Sequence, residues 1–239
     1  MLSFLKIITF AFFSNPKLFF LRVLGNKRYE EIDPYEIFNL EPNLRVIIEA
    51  GAFNGLDTKK FSELYPNSSI FALEPNPVMF SKLNLLRSPS VNILQNALVV
   101  SSLTGQSVSF KYSEMSPSSS LLDPVDRFFI PSIALDKEVN VEGISLKDLY
   151  ENYNLTSLDL IWLDLQGYEM QIIEDLFRNC HFLIKKVKLI QLEVSRVPLY
   201  KDSASFSEIH KLMKDFGFID IIKRIPLNSG NVLYLNNSI

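Results

Sequence analysis

A chain of 239 residues suits one large domain, or one domain with a small appendage. Hydrophobic residues at 47% against charged residues at 21% mark a globular chain and exclude intrinsic disorder. A formal charge of −3 leaves no positive field to hold a polyanion, so no nucleic-acid partner is expected.

The first 28 residues, "MLSFLKIITFAFFSNPKLFFLRVLGNKR", are apolar and aromatic in two pieces split at Ser14-Asn15-Pro16-Lys17. A membrane-spanning helix needs about 20 unbroken apolar residues, and neither piece is that long. The charged start and small-residue cleavage site of a signal peptide are also not clear here. The preferred reading is helical packing against the core or against a second copy in a homodimer. The alternative is a peripheral membrane contact, with Lys6, Lys17, Arg22, Lys27 and Arg28 near lipid phosphates. With nothing indicating secretion, the expected location is cytoplasmic.

After a polar link around "RYEEIDPYEIFNLEPN", strands and helices alternate. "RVIIEAG" reads as a buried strand and "LDTKKFSELYP" as a helix closed by Pro66. "SSIFALEP" is a second strand, followed by a helix capped by Asn76 with Pro77 at its first position. "VNILQNALV" reads as a third strand. A strand, a turn at Leu103-Thr104-Gly105 and an alternating strand Val108-Phe110-Tyr112 follow. "SPSSSLLDP" is a polar loop, and a short strand and a helix begun at Ser145 come next. "SLDLIWLDLQGYEMQIIEDLFRN" then reads strand, turn at Gly167, helix; Cys180 falls at the end of that helix as a small apolar residue. "KLIQLEVS" is a strand with the cluster Lys185, Lys186, Lys188 as a solvated face at its entrance, and "SASFSEIHKLMKDFGF" is a helix. "IDIIKR" and "NVLYLN" close the chain as an antiparallel hairpin. This order predicts an α/β fold with a mostly parallel sheet. A single cysteine excludes an intramolecular disulfide and a cysteine-rich zinc site, and His181 and His210 are too far apart for a histidine metal cluster.

In such a sheet, ligands bind beyond the carboxyl ends of the strands. The first loop, "EAGAFNG", lets the backbone turn and lets a ligand approach at Gly51. Glu74 follows Glu49 by about 25 residues, near the spacing of about 20 at which an acid meets a ribose hydroxyl pair. Asn96 can offer an amide to an adenine edge. The spacing G-x-x-x-G, with Phe53 between the glycines, is not the dinucleotide fingerprint and disfavours a pyrophosphate cradle. A nucleoside carrying a methionine tail fits better, with Glu49 and the loop backbone at its ammonium and carboxylate.

"VIIEAGAFNGLDTKKFSELYPNSSIFALEPNP", "VNILQNALV", "SPSSSLL", "LDLIWLDLQGYEMQII" and "LIQLEV" together resemble the FkbM-type methyltransferases, from about Arg45 to the C-terminus. The resemblance implies a class I methyltransferase (Rossmann-like) fold: a mostly parallel seven-stranded sheet, helices on both faces and a C-terminal antiparallel hairpin. The domains would be residues 1–44, an N-terminal segment and linker, and 45–239, the methyltransferase. S-adenosylmethionine is the implied cofactor. Glu49, Gly51, Ala52, Asn54 and Gly55 would lie at its methionine end, Glu74, Pro75 and Asn76 at the ribose, Asn96 and Ala97 at the adenine, and Asp164 at the reaction centre. The family usually has Asp where Glu49 stands and Glu where Gln166 stands. The second difference removes a carboxylate, so no metal is expected.

Asp164 and Glu193 end the strands "IWLD" and "IQLE" and are the candidate catalytic residues. Adjacent carboxylates can share a proton, which raises one pKa enough for it to act as a base; alternatively they bind Mg²⁺ through oxygen. The loop Ser118, Ser119, Ser120 and the ring of Tyr168 are the candidate contacts to an acceptor. The expected activity is O-methylation of a sugar or glycoconjugate hydroxyl, so the partner is a small-molecule or glycan acceptor. The alternatives are a methyltransferase-like domain that binds without catalysis and an NAD-linked oxidoreductase.

Overall fold

Two layers of helix enclose one twisted sheet in the computed structural model, which describes residues 31–113, 119–125, 135–225 and 228–239. The strands of the large sheet are β1 (Val46–Ala50), β2 (Ser69–Leu73), β3 (Val91–Leu94), β7 (Leu158–Leu163), β8 (Val187–Ser195), β9 (Phe218–Arg224) and β10 (Ser229–Asn236). They lie in the order β3-β2-β1-β7-β8-β10-β9. Pairing is parallel from β3 to β8, and β10 runs antiparallel to both β8 and β9. The predicted class I sheet and its terminal hairpin are both present.

Alternation along the strands assigns the two faces. Val46, Ile48 and Ala50 pack with Ile161, Leu163, Ile190 and Leu192 under helices α5 (Glu169–Arg178) and α6 (Phe206–Asp215). Ile47, Leu160, Trp162 and Leu189 pack on the opposite face against α1 (Pro34–Leu40) and α2 (Leu56–Leu64). Because both faces are covered, β1 is buried at all five positions.

Three features differ from the sequence expectations. The "polar link" contains α1, begun by a capping box in which Asp33 and Glu36 each satisfy the other's backbone amide, with Pro34 at its first turn. Ile32 and Ile37 are buried in the same cluster as Ile47 and Phe61, and Arg224 of β9 holds Glu36 through two hydrogen bonds of 2.8 and 2.6 Å. Core packing among the described residues therefore extends ahead of Arg45, to Ile32. Second, "VNILQNALV" is two strands. β3 ends at Leu94, the chain turns at the exposed Gln95, and β4 (Asn96–Leu98) joins a separate small sheet, β4-β6-β5, with β5 (Ser107–Tyr112) and β6 (Lys137–Ile144). Third, Cys180 falls after α5, buried, and its Sγ lies 3.1 Å from the Ser101 hydroxyl. The predicted caps stand: Asn76 accepts from the amide of Val78 at the start of α3 (Pro77–Leu83), and Ser145 accepts from that of Asp148 at the start of α4 (Leu146–Asn152).

No helix among the described residues is long and apolar enough to cross a membrane. The segment expected to pack or to touch a membrane, residues 1–28, lies outside the described residues.

Candidate functional site

The sheet registers place the site. β1 pairs with β2 through Glu49↔Ala72 and with β7 through Glu49↔Trp162; β7 pairs with β8 through Trp162↔Gln191. Two residues further along each strand, on the same face, stand Glu74, Gly51, Asp164 and Glu193, a single row across four neighbouring strand ends. Backbone hydrogen bonds carry the register past the strands: the Gly51 amide donates to the Leu73 carbonyl at 3.0 Å, and the Asp164 amide to Ala50 at 3.0 Å. The row spans the place between β1 and β7 where strand order reverses, the expected ligand crevice of an open α/β sheet.

Gly51 occupies the centre of this row at φ +84°, and a Cβ there would lie 2.0 Å from the Asp164 carbonyl oxygen. The close approach that demands glycine is therefore made by the protein's own backbone. The loop that follows is tightly bonded. Gly51 and Ala52 donate to Leu73, Gly55 donates to Ala52, and Phe53, at φ +51°, donates its amide to Glu74 Oε2 at 2.7 Å. Four loop amides are thus turned into the protein. The expectation that they hold a ligand's carboxylate is corrected, and a phosphate cradle is opposed for the same reason. Asn54 is exposed and its side chain accepts from the Leu56 amide at 3.2 Å, starting α2.

Glu74 is buried, and its second oxygen accepts from the Asn76 amide at 2.8 Å. Burial, opposed by these two amides and assisted by the nearby Asp164 charge, pushes its pKa up to about 7. Pro75 is buried, and Asn76, wholly buried, spends its side chain on the α3 cap and on the Ser113 carbonyl. Asn96 donates its amide to the Glu142 carbonyl in β6 at 3.1 Å, and Ala97 is in the core of the small sheet. One hydrogen of that amide is thus spent on the small sheet.

Glu49 lies one layer below the row, buried, accepting from the Thr58 hydroxyl of α2 at 2.6 Å. Burial raises its pKa from 4.5 to about 8. The fold favours its protonated form, so the folded protein binds more protons than the unfolded chain between those values. Its contribution to stability is fully present below 4.5 and is lost as pH rises through about 8. Glu49→Gln keeps the shape and the acceptor for Thr58. The variant is expected to gain thermal stability over the parent as pH rises across this window, with little gain at about pH 4.5. Melting curves at a series of pH values check this; a pH-independent difference would contradict it.

Past the row, the turn after β7 carries most of the site's polar contacts. Gln166, a non-glycine residue at φ +52°, donates through Nε2 to Asp164 Oδ1 at 2.7 Å and to Glu193 Oε2 at 2.5 Å. Its Oε1 accepts from the Tyr200 hydroxyl at 3.0 Å. The carboxylate of Glu169, not among the residues expected at the site, accepts from the amides of Leu165 and Gly167 at 2.7 and 2.9 Å and holds the turn from below. Burial pushes Glu169 up to about 7. Asp164 is also raised, by burial first, against hydrogen bonds from Gln166 and Glu193.

The two candidate acceptor contacts are placed differently from expectation. Ser120 is fully buried, donating to the Gln166 carbonyl at 2.9 Å and accepting from the Leu122 amide at 3.0 Å, so it braces the turn. Tyr168 packs in the core with its hydroxyl on the backbone of Val100. Ser119 keeps a buried hydroxyl oxygen with no hydrogen-bond partner. Ser118 lies outside the described residues. The aromatic residue that reaches the site is Tyr200, in a small cleft with Gln166, Glu193, Ser195 and Ser203.

Asp164, Glu169 and Glu193 bring carboxylate oxygens within 4.8 Å of one another. As arranged, this donor set does not fit a cation: both Glu169 oxygens are committed to backbone amides, and an N–H₂ group lies between the other two carboxylates. It does suit a positively charged organic ligand. Among the described residues the hydrogen-bond partners of Glu49, Glu74 and Glu169 are hydroxyl and amide groups, none of them basic, so the strand ends offer a pyrophosphate no counter-charge, while a sulfonium needs none.

Residues 49–219 match the methyltransferase FkbM domain. The chain belongs to the FkbM methyltransferase family. As a member of that family it is an S-adenosylmethionine-dependent methyltransferase, in keeping with the crevice and its charge. The chain is 25% identical over 203 residues to the 2-O-methyltransferase NoeI of Sinorhizobium fredii (strain NBRC 101917 / NGR234), covering 81% of this chain and 80% of that one. It is 24% identical over 208 residues to the methyltransferase sdnD of Sordaria araneosa, covering 77% of each. The N-terminal domain of EvdMO1, solved with SAH bound, shares the FkbM chain's fold with a TM-score of 0.51 at 10% identity, over 90% of this chain and 85% of that one.

Proposed function

We propose that this methyltransferase methylates a hydroxyl of a sugar or glycoconjugate, with Asp164, paired to Glu193, receiving the hydroxyl's proton. The observation that carries the reading is the carboxylate pair Asp164 and Glu193 near the carboxyl ends of β7 and β8, beside the crevice, with Glu193 lining a small cleft that also carries the hydroxyls of Ser195, Tyr200 and Ser203. The 2-O-methyltransferase name of NoeI supports the same acceptor chemistry.

S-adenosylmethionine, when bound, supplies a methyl group on a positively charged sulfur. Glu74, after β2, would hold the ribose hydroxyls, and Asp164, after β7, would lie at the reaction centre. Adjacent carboxylates disfavour each other's ionisation, and burial holds Asp164 above the usual carboxylate range, so the pair shares a proton at the low end of its titration. It therefore has room for the proton that an acceptor hydroxyl loses as its oxygen attacks.

The test is incubation with labelled S-adenosylmethionine and a panel of glycans, nucleotide sugars and lipid-linked saccharides, with linkage analysis of the product. Label on a sugar oxygen is expected; label confined to nitrogen or carbon acceptors would overturn the proposal.

Glu74→Ala is expected to weaken S-adenosylmethionine binding at least about tenfold, from the loss of charge-assisted hydrogen bonds. It also releases the amides of Phe53 and Asn76, so some loss of stability accompanies it. Calorimetric titration of the folded variant checks this, and an unchanged dissociation constant removes Glu74 from the site.

A further inference from the structure

The protein makes an unusual number of contacts to fix one neutral side chain. Gln166 sits in the left-handed region, where a residue with a Cβ persists only if its surroundings hold it. Its carbonyl accepts from Ser120, and Glu169 grips the amides of Leu165 and Gly167 on either side. At the far end, Tyr200 donates to Oε1. That bond anchors the amide, and the two acids orient it: Nε2 faces Asp164 and Glu193, and its two hydrogens serve one carboxylate each. A flipped amide would aim oxygen lone pairs at two acids.

We infer that Gln166 is a positioning residue: its amide, anchored at its far end by Tyr200, clamps Asp164 and Glu193 into a single proton-accepting unit. The inference rests on the proposed role of Asp164. In the step, the acceptor's O–H bond breaks and its proton passes to the clamped pair. The oxygen's electron pair forms the O–CH₃ bond, and the S–CH₃ electrons stay on sulfur, leaving a neutral thioether.

Among the described residues, the charged groups that act on Asp164 are Asp57 at the start of α2, Glu74 after β2 and Glu169 in α5; all are acids. The amide hydrogens of Gln166 reach both carboxylates of the pair. Hydrogen bonds to the ionised form lower a carboxyl pKa, and their removal raises it. The clamp therefore predicts a direction of change.

The test uses the full chain with Tyr200→Phe and Gln166→Met. The first readout needs no acceptor: infrared titration of the carboxylic-acid band that disappears in Asp164→Asn. The clamp predicts that its midpoint moves upward, by about one pH unit in Gln166→Met and by less in Tyr200→Phe. The second readout is turnover of a methylated acceptor. The acid limb of kcat is expected to move in the same direction, with kcat down about tenfold and KM for S-adenosylmethionine within about twofold. Tyr200→Phe keeps the ring and the packing, so it covers the case in which Gln166→Met fails to fold. An unmoved infrared midpoint in the folded Tyr200→Phe variant overturns the clamp. A moved midpoint in a protein that methylates no hydroxyl supports the clamp and removes the proposed acceptor chemistry instead.

Discussion

Asp164→Asn is expected to reduce turnover on an accepted hydroxyl substrate by on the order of 10²-fold or more while S-adenosylmethionine still binds. The substitution is nearly isosteric and can still accept from Gln166, so the turn after β7 keeps its shape. What it removes is the capacity to take a proton as the acceptor oxygen attacks, which acts on the transition state more than on the ground state. A loss of 10²-fold corresponds to about 2.7 kcal/mol, an ordinary share for one general base. Glu193→Gln should cost less, because the opposite Asp164 retains a proton-accepting oxygen. EDTA is expected to leave the wild-type rate unchanged, since the amide of Gln166 lies between the carboxylates where an ion would sit. Near-normal turnover by Asp164→Asn would remove Asp164 from the reaction centre.

Gly51→Ala should be strongly damaging to both stability and activity. At φ +84°, alanine costs about 1–2 kcal/mol from backbone sterics alone. The new Cβ would also fall 2.0 Å from the Asp164 carbonyl, and backbone there cannot swing aside as a flexible side chain can. Adding about 1–3 kcal/mol for the forced shift gives a loss of about 2–5 kcal/mol. For a chain of this length that lowers the melting temperature by about 4–20 °C. Because Gly51 and Asp164 are register partners, whatever movement relieves the clash also misplaces the carboxylate. Activity should therefore fall further than stability does, with both read from one preparation by thermal melting and a turnover assay. An unchanged melting temperature would show that β1 and β7 do not meet as described.

Much of this fold is legible in the order of the residues. The short apolar runs around Ile48 and Ile161 mark the parallel strands, the closing pair of strands marks the hairpin, and the acids after three of those runs lie at strand ends, where ligands bind. Same-face registration of Glu74, Gly51, Asp164 and Glu193 is not legible there, because register is a property of pairs of strands. The split of "VNILQNALV" at Gln95 is hidden for a similar reason: local pattern cannot see a strand leave one sheet for another. The helix at Pro34–Leu40 does carry a signal, the Asp33–Glu36 capping box, inside a segment whose polarity suggests a linker. Glu169 is also detectable, as an acid two residues past a turn glycine. Tyr200 is not; it reaches Gln166 across 34 residues of sequence, through a loop with no motif. Ser120 and Tyr168 invite outward roles because residue type alone does not reveal that a hydroxyl is already committed within the fold.

The central claim is that a row of acids at the strand ends selects a cationic, phosphate-free nucleoside. Calorimetric titration of the full chain with S-adenosylmethionine, and separately with NAD, tests it most directly. Saturable one-to-one binding of S-adenosylmethionine with no heat from NAD is the predicted result; saturable binding of NAD with none of S-adenosylmethionine would contradict it.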